Sequence, residues 1–162
     1  MARESSAERE RREAALRKIA GPDGDHQWMR LEADMKKIGL VHLTEAFLRE
    51  SFGRDQSLLL RPWHQMKDGS AILIFDVRRH AHTHQYYLHG YEAAMTTLVA
   101  ASYKYLDVRQ LSASQHFLAS QGPLPKPRHA IQQLKTMLLE KRKQLGVGYK
   151  IRHPGKNRGR SL

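Results

Sequence analysis

Residues 57–77 read SLLLRPWHQMKDGSAILIFDV. Two apolar runs, 57–60 and 71–77, flank Lys67-Asp68-Gly69-Ser70. The second run is dense in β-branched and aromatic side chains, and Asp-Gly is a turn signal, so the stretch predicts a β-hairpin. Pro62 cannot donate to a ladder, which makes the first arm an edge strand or cuts it short. A lone hairpin is marginal in water and needs helices or further strands to pack on. The flanking sequence supplies helical patterns on both sides. The expected fold class is therefore α+β, mostly helical. It comprises a helical hairpin, one β-hairpin or small antiparallel sheet, a basic C-terminal helix and a flexible tail.

Upstream, Ser5 and Glu8 have capping-box spacing, and a helix is expected to run to about Ala20. Its apolar face is thin (Ala14, Ala15, Leu16 and Ile19), while Glu8/Arg12 and Glu13/Arg17 sit four apart, so it reads as exposed. Residues 21–24 break the pattern. Asp25 then suits an N-cap, and Trp28, Leu31, Met35 and Ile38 recur at helical spacing up to Gly39. Thr44 is the expected cap of a second helix carrying Phe47, Leu48 and Phe52. A DNA-reading helix-turn-helix fits this pair poorly. With Gly39 as the turn glycine, Glu45 falls on a position that should be buried, and bulky Met35 falls where a small residue is usual. A packed helical hairpin is the better reading.

Downstream, Tyr91, Ala94, Met95, Leu98, Ala101 and Tyr105 give a helical stripe. Ser112 and Gln115 again have capping-box spacing, ahead of a short helix with Phe117 and Leu118. Three prolines within 122–127 predict a stiff linker, and Pro127 suits the first position of the next helix. Ile131, Leu134, Leu138 and Leu145 stripe that helix, which Gly146 closes. The organisation expected is an exposed N-terminal helix over 1–21, a globular body over 22–121 and a proline-rich linker over 122–127. A basic amphipathic helix over 128–146 and a disordered basic tail over 147–162 follow.

The formal net charge is +12, and its placement is lopsided. Residues 122–162 hold eleven Lys/Arg against Glu140 alone, or +10, which leaves +2 for residues 1–121. This is the footprint of an arm that neutralises phosphates. Lys141, Arg142 and Lys143 on the helix, then Lys150, Arg152, Lys156, Arg158 and Arg160 in the tail, are the expected phosphate contacts. Tyr149 adds a ring. The tail lacks the apolar anchors of an interfacial helix, so no membrane contact is expected.

A second candidate surface is RRHAHTHQYYLHG, residues 78–90. Arg78 and Arg79 precede interleaved His and Tyr residues, Tyr86 among them, and this suits single strands whose bases stack on rings while cations hold phosphates. His80, His82 and His84 would share a strand face, and His80 and His84 a helix face. Either spacing could hold a divalent ion with Asp76 or Glu92. His82-Thr83-His84 with Tyr103 also resembles the metal site of nickases that use a tyrosine nucleophile. Thr83, Ala81 and Gln85 are too polar or small for that buried strand, so these histidines are only weak metal candidates.

There are no cysteines, which removes disulfides and thiol catalysis, and Gly-rich phosphate loops, nucleophile elbows and HExxH are missing. The acidic N-terminus does not read as a signal or transit peptide, and no apolar stretch reaches membrane-spanning length. The expectation is a cytoplasmic, non-catalytic nucleic-acid-binding protein. It would need no cofactor, would bind DNA or RNA, and would serve as an accessory subunit beside a protein partner. The alternatives are an adaptor or inhibitor module with an acidic partner, and a metal-dependent nuclease built on the histidines.

Overall fold

The computed structural model describes residues 4–21, 25–63, 69–101, 108–144 and 149–151. Four α-helices and five strands follow in the order α1 (Ser6–Ala20), α2 (Asp25–Lys37), α3 (Thr44–Ser51), β1 (Gln56–Trp63), β2 (Gly69–Arg79), β3 (Tyr86–Ala101), β4 (Val108–Leu118), α4 (Pro127–Gln144) and β5 (Tyr149–Ile151). The antiparallel sheet has strand order β1-β2-β3-β4, with β5 paired to β3. Helix and strand are roughly balanced, which corrects the expectation of a mostly helical chain. The chain divides into two compact units, and β1–β4 are each shared between them.

The first unit takes Met1–Leu59, Ile74–Tyr91 and Phe117–Lys126. Its helices begin as the sequence dictates. Ser5 accepts from the Glu8 N–H while the Glu8 carboxylate accepts from the Ser5 N–H, a complete capping box on α1. Most of α1 is exposed, but Leu16 is fully buried, and Arg12 is tucked between Glu4 and Glu32. These two residues fasten the helix to the domain. Trp28, Leu31, Met35 and Ile38 are all buried, as their spacing predicts. After α2 the Leu40 N–H donates to the Met35 carbonyl and the Gly39 N–H to that of Lys36, closing a Schellman motif. That motif requires the positive φ of 78° found at Gly39. Thr44 is not the expected cap. It lies inside α3, buried, with its hydroxyl donating back to the Val41 carbonyl.

Phe75 is the hub of this core. Its ring centroid lies 5.0 Å from that of Phe47 and 5.4 Å from Tyr91, which in turn is 5.2 Å from Phe117. The buried Tyr91 hydroxyl donates to the Pro125 carbonyl at 2.5 Å, tying the proline segment down. Burial pushes the Tyr91 phenol up, well above its ordinary value. The folded state thus holds the proton more tightly than the unfolded chain. Its stabilising effect is fully present below about pH 10 and drains away as pH rises beyond that. Thermal melts taken from pH 7 upward should show this alkaline loss. Tyr91→Phe should flatten it, at a cost of about 1 kcal/mol at neutral pH for the lost hydrogen bond.

The second unit takes Leu60–Leu73, Glu92–His116 and Pro127–Leu162. Here the sequence expectations fail most. The stripe read as a helix from Tyr91 onward is β3, and the capped helix read after Ser112 is β4. Tyr91, Ala93, Met95 and Thr97 are buried while Glu92, Ala94 and Thr96 are half-buried, a period of two. Leu111 and Ala113 likewise point inward between the exposed Ser112 and Ser114. Pro127 does open α4, whose buried stripe is Ala130, Ile131, Leu134 and Leu138. Leu145 and Gly146 lie outside the described residues.

Gly90 and Tyr91 are both buried, so the inward face of β3 changes phase between them, as at a β-bulge. A Cβ on Gly90 would collide with the Phe117 carbonyl oxygen. Only glycine allows so close an approach. Farther along, β5 pairs antiparallel with β3, Val99 to Ile151, Ala100 to Lys150 and Ala101 to Tyr149. Within the segment expected to be disordered, these three residues form a strand.

Candidate nucleic-acid interface

The β2–β3 hairpin builds the first surface. Its turn closes where the His80 N–H donates to the Gln85 carbonyl at 2.8 Å and the His84 N–H to that of His80 at 2.9 Å. Thr83 accepts from the Gln85 N–H, and His84 takes a positive φ of 59°. His80, His82 and His84 therefore sit on an exposed turn, on neither the strand face nor the helix face that their spacing suggested. Among the described residues no three His, Asp or Glu side chains gather as a metal site would need. Asp76 is held by Arg78 and Gln56, and Glu92 lies 3.7 Å from His116. Tyr103 lies outside the described residues.

Both arginines of the hairpin are paired within the chain. Arg78 meets Asp76 at 3.0 Å and Arg79 meets Asp55 at 2.8 Å. These hydrogen bonds raise the proton affinity of each guanidinium, so both stay charged. Asp55 is 89% exposed, and exposed pairs are worth about 0–1 kcal/mol, so a phosphate can compete for Arg79 at little cost.

Tyr86 does not belong to this surface. It is buried, its hydroxyl accepts from the Gly53 N–H at 2.7 Å, and its ring stacks on Phe52. The alternation of β3 explains why: Tyr86 and Leu88 point inward, while Tyr87 and His89 point outward.

Tyr87 is instead the centre of a cluster. The His80 ring lies 4.8 Å from it, tilted by 35°, and His89 meets it edge-on at 6.4 Å. The Arg30 guanidinium stands over the ring at 5.2 Å. Arg30 comes from α2 because Asp34, one turn later on the same helix, accepts the Leu88 N–H at 3.0 Å and holds the helix against β3. Arg30 is exposed and has no carboxylate partner among the described residues. Sequence reasoning missed it, since the two segments lie far apart in the chain.

In the second unit, Lys141 donates to the Ser112 carbonyl at 2.8 Å and Lys143 meets Glu140 at 3.4 Å. Arg142 is half-buried on the same turn. Lys141 also lines an open cleft of about 500 Å³ with Glu92, Thr96, Ser114 and Met137. That wall carries both signs of charge. The Lys150 backbone is fixed in β5, and Arg152, Lys156, Arg158 and Arg160 lie outside the described residues. Among the described residues no helix is long and apolar enough to cross a membrane. Set against protein-family models, curated proteins and solved structures, the chain matches none.

Proposed function

We propose that this chain is a non-catalytic nucleic-acid-binding protein, an accessory subunit that grips phosphates through its basic C-terminal segment. The observation that carries this reading is the charge division: +10 over residues 122–162 against +2 over the rest. Each Lys or Arg that pairs with a phosphate releases condensed counterions, so such a segment gains affinity without any base code. Lys141, Arg142 and Lys143 close α4 just before the segment, and Arg78, Arg79 and Arg30 add cations on the hairpin surface. A nearly neutral body leaves room for a protein partner, and nothing in the tail calls for a membrane.

Fluorescence anisotropy with a generic duplex and a generic single strand tests the reading. Log affinity should fall linearly with log salt, by about 0.7–0.9 units per phosphate contacted. Absence of binding to either at low salt would discard nucleic acid in favour of an acidic protein partner.

A further inference from the structure

We propose that the Arg30–Tyr87–His80–His89 cluster is a stacking site for unpaired nucleobases, which makes the protein selective for single strands over duplex. The proposal rests on the nucleic-acid reading above and adds what the basic segment cannot supply.

The geometry is that of a short ring stack with one end open. Tyr87 projects from the outward side of β3 and is half-buried, so its position is set by the strand. His80, on the exposed turn, lies 4.8 Å away at a 35° tilt. Among the described residues Tyr87 is the only aromatic neighbour of the His80 ring. The far side of that imidazole therefore faces water, and a base placed there extends the stack by one member. His89 buttresses Tyr87 edge-on. Arg30, over the Tyr87 ring and without a carboxylate partner among the described residues, supplies the positive charge for the adjoining phosphate. Tyr87 is held without recourse to ligand, because Asp34 fixes α2 against Leu88, the very next residue.

Selectivity follows from what each form of nucleic acid exposes. In a duplex both faces of every base are covered by neighbours, so only phosphates are available. In a single strand a base can swing out and lay one face on a ring. The cluster thus strengthens binding to one form and is idle toward the other.

The test compares a pyrimidine single strand with a duplex of equal length, at one salt concentration, for the full chain and for His80→Ala, Tyr87→Ala and Tyr87→Phe. His80→Ala and Tyr87→Ala should lose about 5- to 150-fold on the single strand, the equivalent of about 1–3 kcal/mol per stacked base. Both should stay within about twofold on the duplex, and Tyr87→Phe should retain single-strand affinity because the ring remains. Ring-proton shifts of His80 on titration with the strand give a readout that a merely structural role would not move. Should Tyr87→Ala fail to fold, His80→Ala carries the test, since that residue is exposed. Unchanged single-strand affinity in His80→Ala, or equal losses on both forms, overturns the stacking site while leaving nucleic-acid binding intact. Absence of binding by the unaltered chain to either form overturns both.

Discussion

Phe75→Ala is expected to lower the stability of the folded chain by about 3–5 kcal/mol. Phe75 is fully buried in β2 and touches rings on two sides, Phe47 from α3 and Tyr91 from β3. Truncation removes the apolar area and leaves a void that neither neighbour can fill, because each is held elsewhere. Tyr91 is pinned by its hydroxyl on Pro125 and Phe47 by its helix. Domains of this size are stable by about 5–15 kcal/mol, so the loss is a large fraction of the total. Urea titration should show a lower midpoint with an unchanged slope. Phe75→Leu, which retains most of the volume, should cost less than half as much. A shift below about 1 kcal/mol for the alanine variant would mean that the four-ring core is not packed as described.

The second large effect concerns affinity. A chain ending at Gly146 lacks Lys150, Arg152, Lys156, Arg158 and Arg160. If those five reach phosphates, the salt slope should become shallower by about 4 units and affinity at about 0.1 M salt should fall roughly 10²- to 10⁴-fold. The deletion also removes β5, whose few backbone hydrogen bonds are worth about 1–3 kcal/mol in total. The body should still fold, with an unchanged circular dichroism spectrum in buffer. Replacing the same five residues with Gln separates the two effects, since it keeps the β5 backbone and removes only charge. An unchanged salt slope in the Gln variant would sink the role given to the segment.

Much of the helical part of the fold is legible in the chain. The Ser5/Glu8 box, the Trp28–Leu31–Met35–Ile38 stripe, Gly39, Pro127 and the α4 stripe each carry a local signal, and each sits where that signal puts it. Both β1 and β2 were visible from their composition and the Asp-Gly between them. The failures are β3 and β4. In β3, small and apolar residues occupy both parities (Ala93 and Ala94, Thr96 and Thr97), so a helical stripe can be drawn through them as easily as an alternating one. In β4, Ser112 and Gln115 have capping spacing by coincidence, while Leu111 and Ala113 between outward polar residues hold the true period. Long-range pairing decided what local pattern left open.

The hairpin surface was half legible. Cations and rings in 78–90 marked the place, and the inward Leu88 fixes the parity that exposes Tyr87 and hides Tyr86. Arg30 was not legible, because its position depends on a carboxylate in α2 meeting a backbone N–H in β3.

The phase change at Gly90 and Tyr91 governs where this strand can alter its length. Losing one residue elsewhere in its middle would turn everything beyond inside out, sending Met95 to water and Glu92 to the interior. Losing Gly90 itself would have the opposite outcome. Tyr86, Leu88, Tyr91, Ala93, Met95 and Thr97 would then fall on a single uninterrupted alternation, so the glycine is the one joint at which a deletion leaves the hydrophobic lining in order.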